Sequence, residues 1–175
     1  VLGFQAVQAY LLYILMDYLG MSATEAGRFA GIVTLVTAVT MVTSTLVAGR
    51  ISDRLGRRKV FVFFSTIGMA IALLIPIFAP VPAAMLVYAG ITGIGYGAYG
   101  AVDAALMVDV LPSRGDAGKD LGVLNVATNI PQALSPVIAA ALLHAFSGNY
   151  TVIFVFAIVM VFASSFFVLP IKSVR

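Results

Sequence analysis

The sequence predicts an all-α membrane protein built from six transmembrane helices, and three observations carry that prediction. Hydrophobic residues make up 62% of the 175-residue chain and charged residues only 10%. A soluble domain would carry about 25% charge to cover its surface. The mean hydropathy is +1.10. The charges are also clustered: residues 49–60, GRISDRLGRRKV, hold five of the ten Lys and Arg, between charge-free stretches 32–48 and 60–79.

A helix needs roughly 20 mostly apolar residues to cross a hydrocarbon core of about 30 Å. Six runs meet that length, at about 2–19, 25–48, 60–79, 82–111, 120–146 and 150–171, forming a single bundle. The second starts at Ser22 with Glu25 three residues on, a capping-box pattern. Gly20, the Pro80–Pro82 pair and Ser147-Gly148-Asn149 mark turns at one end of the bundle. Nine of the ten Lys and Arg fall at the other end, after the second and fourth runs and in the tail; Arg28 is the exception. The positive-inside bias makes that end cytoplasmic. With an even number of spans, both chain ends are expected on the cytoplasmic side of the cell (inner) membrane.

Composition also excludes functions. There is no cysteine and one histidine, His144, so disulfide, thiolate and His-cluster metal chemistry fall away, and no cofactor is expected. The basic residues are islands between apolar runs, not the aromatic-interleaved face of a nucleic-acid binder, so no nucleic-acid partner is expected. Asp103 is alone at depth in the fourth run. Intramembrane enzymes need paired carboxylates, a Ser–His arrangement or metal ligands, so the chain is not read as an enzyme.

Inside the basic block, Gly49, Asp53, Arg54, Gly56, Arg57 and Arg58 read G-x-x-x-D-R-x-G-R-R between the second and third spans. This loop resembles the signature loop of the major facilitator superfamily, whose members carry twelve helices in two six-helix halves. The resemblance implies a gate element held by charge contacts of Asp53 and Arg54, supported by Arg57 and Arg58. Gly49 would allow close backbone approach and Gly56 a tight turn. The fourth span has no arginine and the fifth no glycine–proline pattern, whereas DVLPSRGDAGKDLG precedes an N-x-x-x-N-I-P-Q helix. These features resemble the second half, helices seven to twelve. Val1 falls where a helix is already under way, so an N-terminal half, or else a second copy, is the expected partner beside membrane lipid.

The family layout places the third and sixth helices of each half at the periphery. Their sequences agree: residues 60–79 hold only Ser65 and Thr66 as polar side chains, and residues 150–171 hold Thr151, Ser164 and Ser165. Polar residues elsewhere supply a candidate cavity for substrate or ion. In the fourth span Thr92, Tyr96, Tyr99 and Asp103 repeat at 4, 3, 4 and form one stripe. Gly90, Gly93, Gly97, Gly100 and Ala104 form a second stripe, suited to close helix packing. A carboxylate at the position of Asp103 costs about 2.5–3.5 kcal/mol on insertion scales and usually faces a polar cavity. Asn125, Asn129 and Gln132 share a face of the fifth span, and Gln5 and Gln8 share one of the first.

Other polar residues have plainer readings. Thr34, Thr37, Thr40 and Thr43 step by three, spiral round the second span, and are read as packing and back-bonding groups. Arg28 is read as paired with Glu25, His144 as interfacial, and Tyr18, Tyr88 and Tyr150 as members of an aromatic belt. The expected function is secondary active transport of a small polar solute, sugar-like in character, by alternating access with proton or sodium coupling. A transporter-like receptor or scaffold, or an efflux pump for drug-like solutes, are the alternatives.

Overall fold

A computed structural model describes the backbone of residues 2–55, 58–110 and 117–168, and the side chains of residues 2–52, 63–102, 122–123 and 125–164. The described residues form helices and no strands. These are α1 (Leu2–Ala9), α2 (Leu11–Tyr13), a π-helical turn (Ile14–Tyr18), α3 (Ala23–Leu55), α4 (Arg58–Phe78), α5 (Pro82–Val110), α6 (Ala117–Ala145) and α7 (Thr151–Val168).

The first apolar run is therefore not one regular helix. Tyr10 leaves helical geometry at φ −102°, ψ 9°. The run then ends in a wide turn, with the Leu19 amide donating to the Ile14 carbonyl over 3.1 Å and the Met21 amide to the Leu15 carbonyl over 3.1 Å. Gly20 closes it at φ +71°, a left-handed value that glycine adopts without a Cβ penalty. The α3 start is the capping box read from sequence. Ser22 Oγ lies 2.6 Å from Glu25 Oε2, and the Glu25 amide donates to Ser22 Oγ over 3.4 Å. Between α6 and α7 the turn uses Ser147 at φ +54° and Gly148 at φ +80°, and the Gly148 amide donates back to the Leu143 carbonyl at 2.8 Å.

Helix neighbours follow a regular scheme. α3 packs on α5, α5 on α4, α4 on α7, α7 on α1, and α1 on α6. Exchanging α1 with α5, α3 with α6 and α4 with α7 returns the same set of contacts. The six spans thus divide into two three-helix units with equivalent packing, the 3+3 repeat that transporter halves show. Phe4 of α1 stacks on Tyr96 of α5 with ring centroids 4.5 Å apart. This contact closes a front row in the order α3, α5, α1, α6, with α4 and α7 behind.

Close approach between neighbouring helices rests on a few glycines. A Cβ on Gly93 would overlap the Thr40 hydroxyl and the Thr37 carbonyl, and one on Gly97 would overlap the Met41 carbonyl. A Cβ on Gly3 would come within 2.8 Å of the Ala157 backbone in α7. Gly90 and Gly100 of the small-residue stripe meet nothing within 4 Å among the described residues, whereas Gly93 and Gly97 form the packing seam. Gly95, outside that stripe, faces Met69 and the Ser65 carbonyl of α4.

Among the described residues, three helices contain segments long and apolar enough to span a bilayer: Ala23–Ser52, Pro82–Val102 and Asn125–Ala145. Phe63–Phe78 and Thr151–Ser164 are shorter apolar helices. Half of the apolar window in α5 is buried, against 11% in those of α3 and α6. α5 is central, while α3 and α6 flank the row with Leu35, Val39, Val42, Val126, Ile130 and Val137 exposed. Contiguous apolar surface of this kind marks a membrane or protein interface.

Candidate functional site

One polar group from each of the first and fifth spans, Gln5 and Gln132, meets the other across the seam between α1 and α6. Gln5 Nε2 donates to Gln132 Oε1 at 3.2 Å. One turn further along α6, the fully buried Ser135 donates to the Leu2 carbonyl at 2.8 Å. The Tyr10 hydroxyl lies 3.5 Å from the Pro136 carbonyl, at the outer limit of a hydrogen bond. Pro136 has no N–H, so the Gln132 carbonyl lacks its helical donor; Pro131 does the same to Ala127. Proline thus loosens the backbone where the amide side chains meet.

Gln8 is half-buried on α1, while Asn125 and Asn129 are exposed on α6, two turns and one turn before Gln132 respectively. An amide carries donor and acceptor together. The Gln5–Gln132 pair can therefore exchange its internal bond for bonds to a solute hydroxyl or carbonyl without leaving a group unsatisfied.

The α5 stripe is less uniform than its spacing implies. Tyr96 is stacked on Phe4, and the Tyr99 ring lies 6.5 Å from Tyr96, tilted by 37°. Thr92 is buried, and its hydroxyl donates to the Tyr88 carbonyl at 2.5 Å. Its polar atom is satisfied inside its own helix, because a threonine in a packed helix bonds the carbonyl one turn back. Tyr88 is not in an interfacial belt: at 2% exposure it sits in the apolar core, and its hydroxyl has no hydrogen-bond partner among the described residues. Asp103 belongs to α5 three residues after Gly100, but its side chain lies outside the described residues.

The same limit applies to the basic loop. Asp53, Arg54, Gly56, Arg57 and Arg58 fall outside the residues whose side chains are described. Gly49 is described, and a Cβ there would make ordinary contact with Ala101 Cβ at 3.9 Å. The α3 threonines do back-bond as expected: Thr37 to the Val33 carbonyl at 2.8 Å, Thr40 to Val36 at 2.7 Å and Thr43 to Val39 at 2.8 Å. Across the α3–α5 seam, Ser44 donates to the Ile94 carbonyl at 2.6 Å and Thr45 to the Gly97 carbonyl at 3.2 Å.

Sequence reading missed a polar clamp at the end of the bundle opposite the basic block. The Tyr150 hydroxyl donates to Asp17 Oδ2 at 2.5 Å, tying the π-turn to the start of α7. The adjacent Tyr18 hydroxyl donates to the Pro76 carbonyl of α4 at 3.1 Å. That carbonyl would normally receive the amide of residue 80, which is proline and has none. Asp17, the single charge of the first span, was the available signal. Glu25 turns to Ser22, and among the described residues it makes no ion pair with Arg28, although both line a depression with Phe29 and Ile32.

An all-helical bundle of two equivalent three-helix units, apolar outside and amide-lined along one seam, defines an integral membrane protein of the transporter type. The sequence profile of the Major Facilitator Superfamily matches residues 1–174, and the chain belongs to that family. It is a family of transporters rather than of enzymes. The chain is similar to the MFS transporter asaE of Aspergillus flavus, at 26% identity over 168 residues, covering 94% of this chain and 38% of that protein. It is also similar to a probable 4-methylmuconolactone transporter of Cupriavidus pinatubonensis, at 31% identity over 139 residues, covering 77% of this chain and 30% of the relative. The chain thus spans about a third of the curated relatives it matches. No solved structure matches it significantly.

Proposed function

We propose that this chain forms the second six-helix half of a secondary transporter that moves a small polar solute across the cell membrane by alternating access. The observation that carries the reading is the hydrogen bond between Gln5 and Gln132, which joins α1 to α6 at a part-buried position. Gln8, Asn125 and Asn129 extend the same amide-rich surface, and Tyr96 and Tyr99 form its wall on α5. The solute is oxygen-rich and sugar-like in size and polarity. One relative is described as a probable 4-methylmuconolactone transporter, and a lactone belongs to the same broad class of small oxygenated molecules.

Asp103 is the residue for proton or sodium coupling, since a carboxylate at that depth is costly unless it faces a polar cavity. Asp53, Arg54, Arg57 and Arg58 act as the cytoplasmic gate, with Gly56 in its turn. Thr92 is left out of the solute contacts because its hydroxyl is satisfied within α5. The remaining half, or a second copy of this chain, completes the pathway.

Uptake of radiolabelled sugars and lactones by vesicles holding the intact polypeptide tests the reading. Gln132→Ala and Asn129→Ala should each lower uptake roughly three- to twenty-fold, the equivalent of losing one membrane hydrogen bond of about 0.6–1.7 kcal/mol. Asp103→Asn should abolish gradient-driven accumulation while leaving solute exchange. Flux indifferent to all these substitutions would remove the amide seam from the transport path. Absence of any flux would favour the receptor or scaffold alternative.

A further inference from the structure

The α3–α5 seam carries a groove of about 480 Å³ that the transport reading does not use. Its walls are Val39, Thr43, Val47 and Ile51 on α3 and Ile94 and Ala98 on α5, with Thr40, Ser44 and Ala48 at its floor. The three hydroxyls do not make it polar. Thr40 and Thr43 donate to carbonyls of their own helix, and Ser44 donates to the Ile94 carbonyl. What the groove offers an occupant is hydrocarbon.

Its position on α5 separates it from the amide surface. Gly93 and Gly97 meet α3, Gly95 meets α4, and Tyr96 meets Phe4 of α1. At about 100° per residue, Ile94 points some 200° away from Tyr96, between the α3 and α4 sides. The groove therefore opens on the back of the front row, away from the proposed solute path.

Length and charge identify what fits. From Val39 to Ile51 the groove runs about 18 Å along α3 at roughly 1.5 Å per residue. One leaflet of hydrocarbon is half of roughly 30 Å, about 15 Å. Val39 is near the middle of the apolar segment Ala23–Ser52, and Ile51 is at its end. Arg50, exposed, lies at that end. By helical period it falls within about 20° of Thr43, on the α3 wall of the groove. The remaining basic residues of 49–60 follow directly in the chain.

We propose that this groove holds an acyl chain of an anionic phospholipid from the leaflet nearest the basic block, with the lipid phosphate beside Arg50. An apolar slot one leaflet long that ends at a guanidinium matches such a lipid at both ends. The proposal does not depend on the solute path, so loss of transport and loss of lipid binding can be scored apart.

These 175 residues hold no tryptophan, so Ile94→Trp, at a half-exposed wall position, adds a reporter once any tryptophan elsewhere in the intact polypeptide is replaced by phenylalanine. The intact polypeptide carrying it is placed in phosphatidylcholine vesicles, and either brominated phosphatidylglycerol or brominated phosphatidylcholine is added at equal mole fraction. Quenching should favour phosphatidylglycerol by roughly five-fold, as one basic residue near a membrane surface gives. Arg50→Ala should remove the preference while leaving quenching by phosphatidylcholine unchanged, and Arg50→Lys should keep it. A reporter at Leu35→Trp, on the outer part of α3, should show no preference. Equal quenching by the two lipids at Ile94→Trp would reduce the groove to ordinary annular surface. No quenching by either would show that protein covers it. Both results overturn the proposal.

Discussion

Single atoms decide several contacts in this bundle, and glycine is the clearest case. Gly97 lets the α3 backbone approach until its missing Cβ would overlap the Met41 carbonyl. Gly97→Leu should therefore force α3 and α5 apart, at a cost of about 1–3 kcal/mol or more. Thermal unfolding in detergent should show a lowered midpoint. Gly100→Ala is the control: nothing among the described residues lies within 4 Å, and an exposed change of this kind stays within about 0.5 kcal/mol. Tyr18 makes a second residue-scale test. Its hydroxyl satisfies the Pro76 carbonyl that Pro80 cannot reach. Tyr18→Phe should cost about 1 kcal/mol, the net value of such a bond. Pro80→Ala, which restores an amide at position 80, should rescue that loss. Failure of the rescue would mean that the hydroxyl acts elsewhere.

Among elements, the two flanking seams are built on one plan with different materials. On α3–α5, serine and threonine donate across to glycine-lined backbone. On α1–α6, glutamines pair with one another and Ser135 reaches the Leu2 carbonyl. The hydroxyl seam leaves no side-chain amide to offer a solute, whereas the glutamine seam does. A double-mutant cycle with Gln5→Leu and Gln132→Leu, read by unfolding of the purified protein, should give a coupling of about 0.6–1.7 kcal/mol. Zero coupling would mean that the pair does not hold the helices together. Much of this level was legible beforehand: helix positions, the capping box and the threonine back-bonds follow from periodicity and local chemistry. The break at Tyr10 and the π-turn beyond it were not, because no proline or glycine marks them within residues 4–19. They arise where the end of the first span must meet α4 and α7 together.

For the whole molecule, the exposed apolar faces of α3 and α6 and the basic block at one end together set how it sits in a bilayer. The orientation expected from positive-inside bias is testable by cysteine labelling, because these 175 residues hold no cysteine and any elsewhere in the intact polypeptide can be replaced by serine. A single Asn149→Cys, in the exposed turn before α7, should react with an impermeant maleimide on intact cells. Arg175→Cys should react only after permeabilisation. The reverse pattern would invert the proposed topology.

Composition, hydropathy and charge order are sums over neighbouring residues, and the chain carries them whether folded or not. They were enough for the membrane, the helices, the family and the residue types that a solute path needs. Which face of each helix does what was a different matter, because the sides of a helix are equivalent until a neighbour occupies one. Packing buried Tyr88 in the core instead of leaving it at an interface, and closed Thr92 onto its own backbone. It brought Gln5 to Gln132 across 127 positions of chain and set Asp17 against Tyr150. It also left an apolar groove leading to Arg50. Those outcomes depend on distances between segments remote in sequence, which only close packing in three dimensions determines.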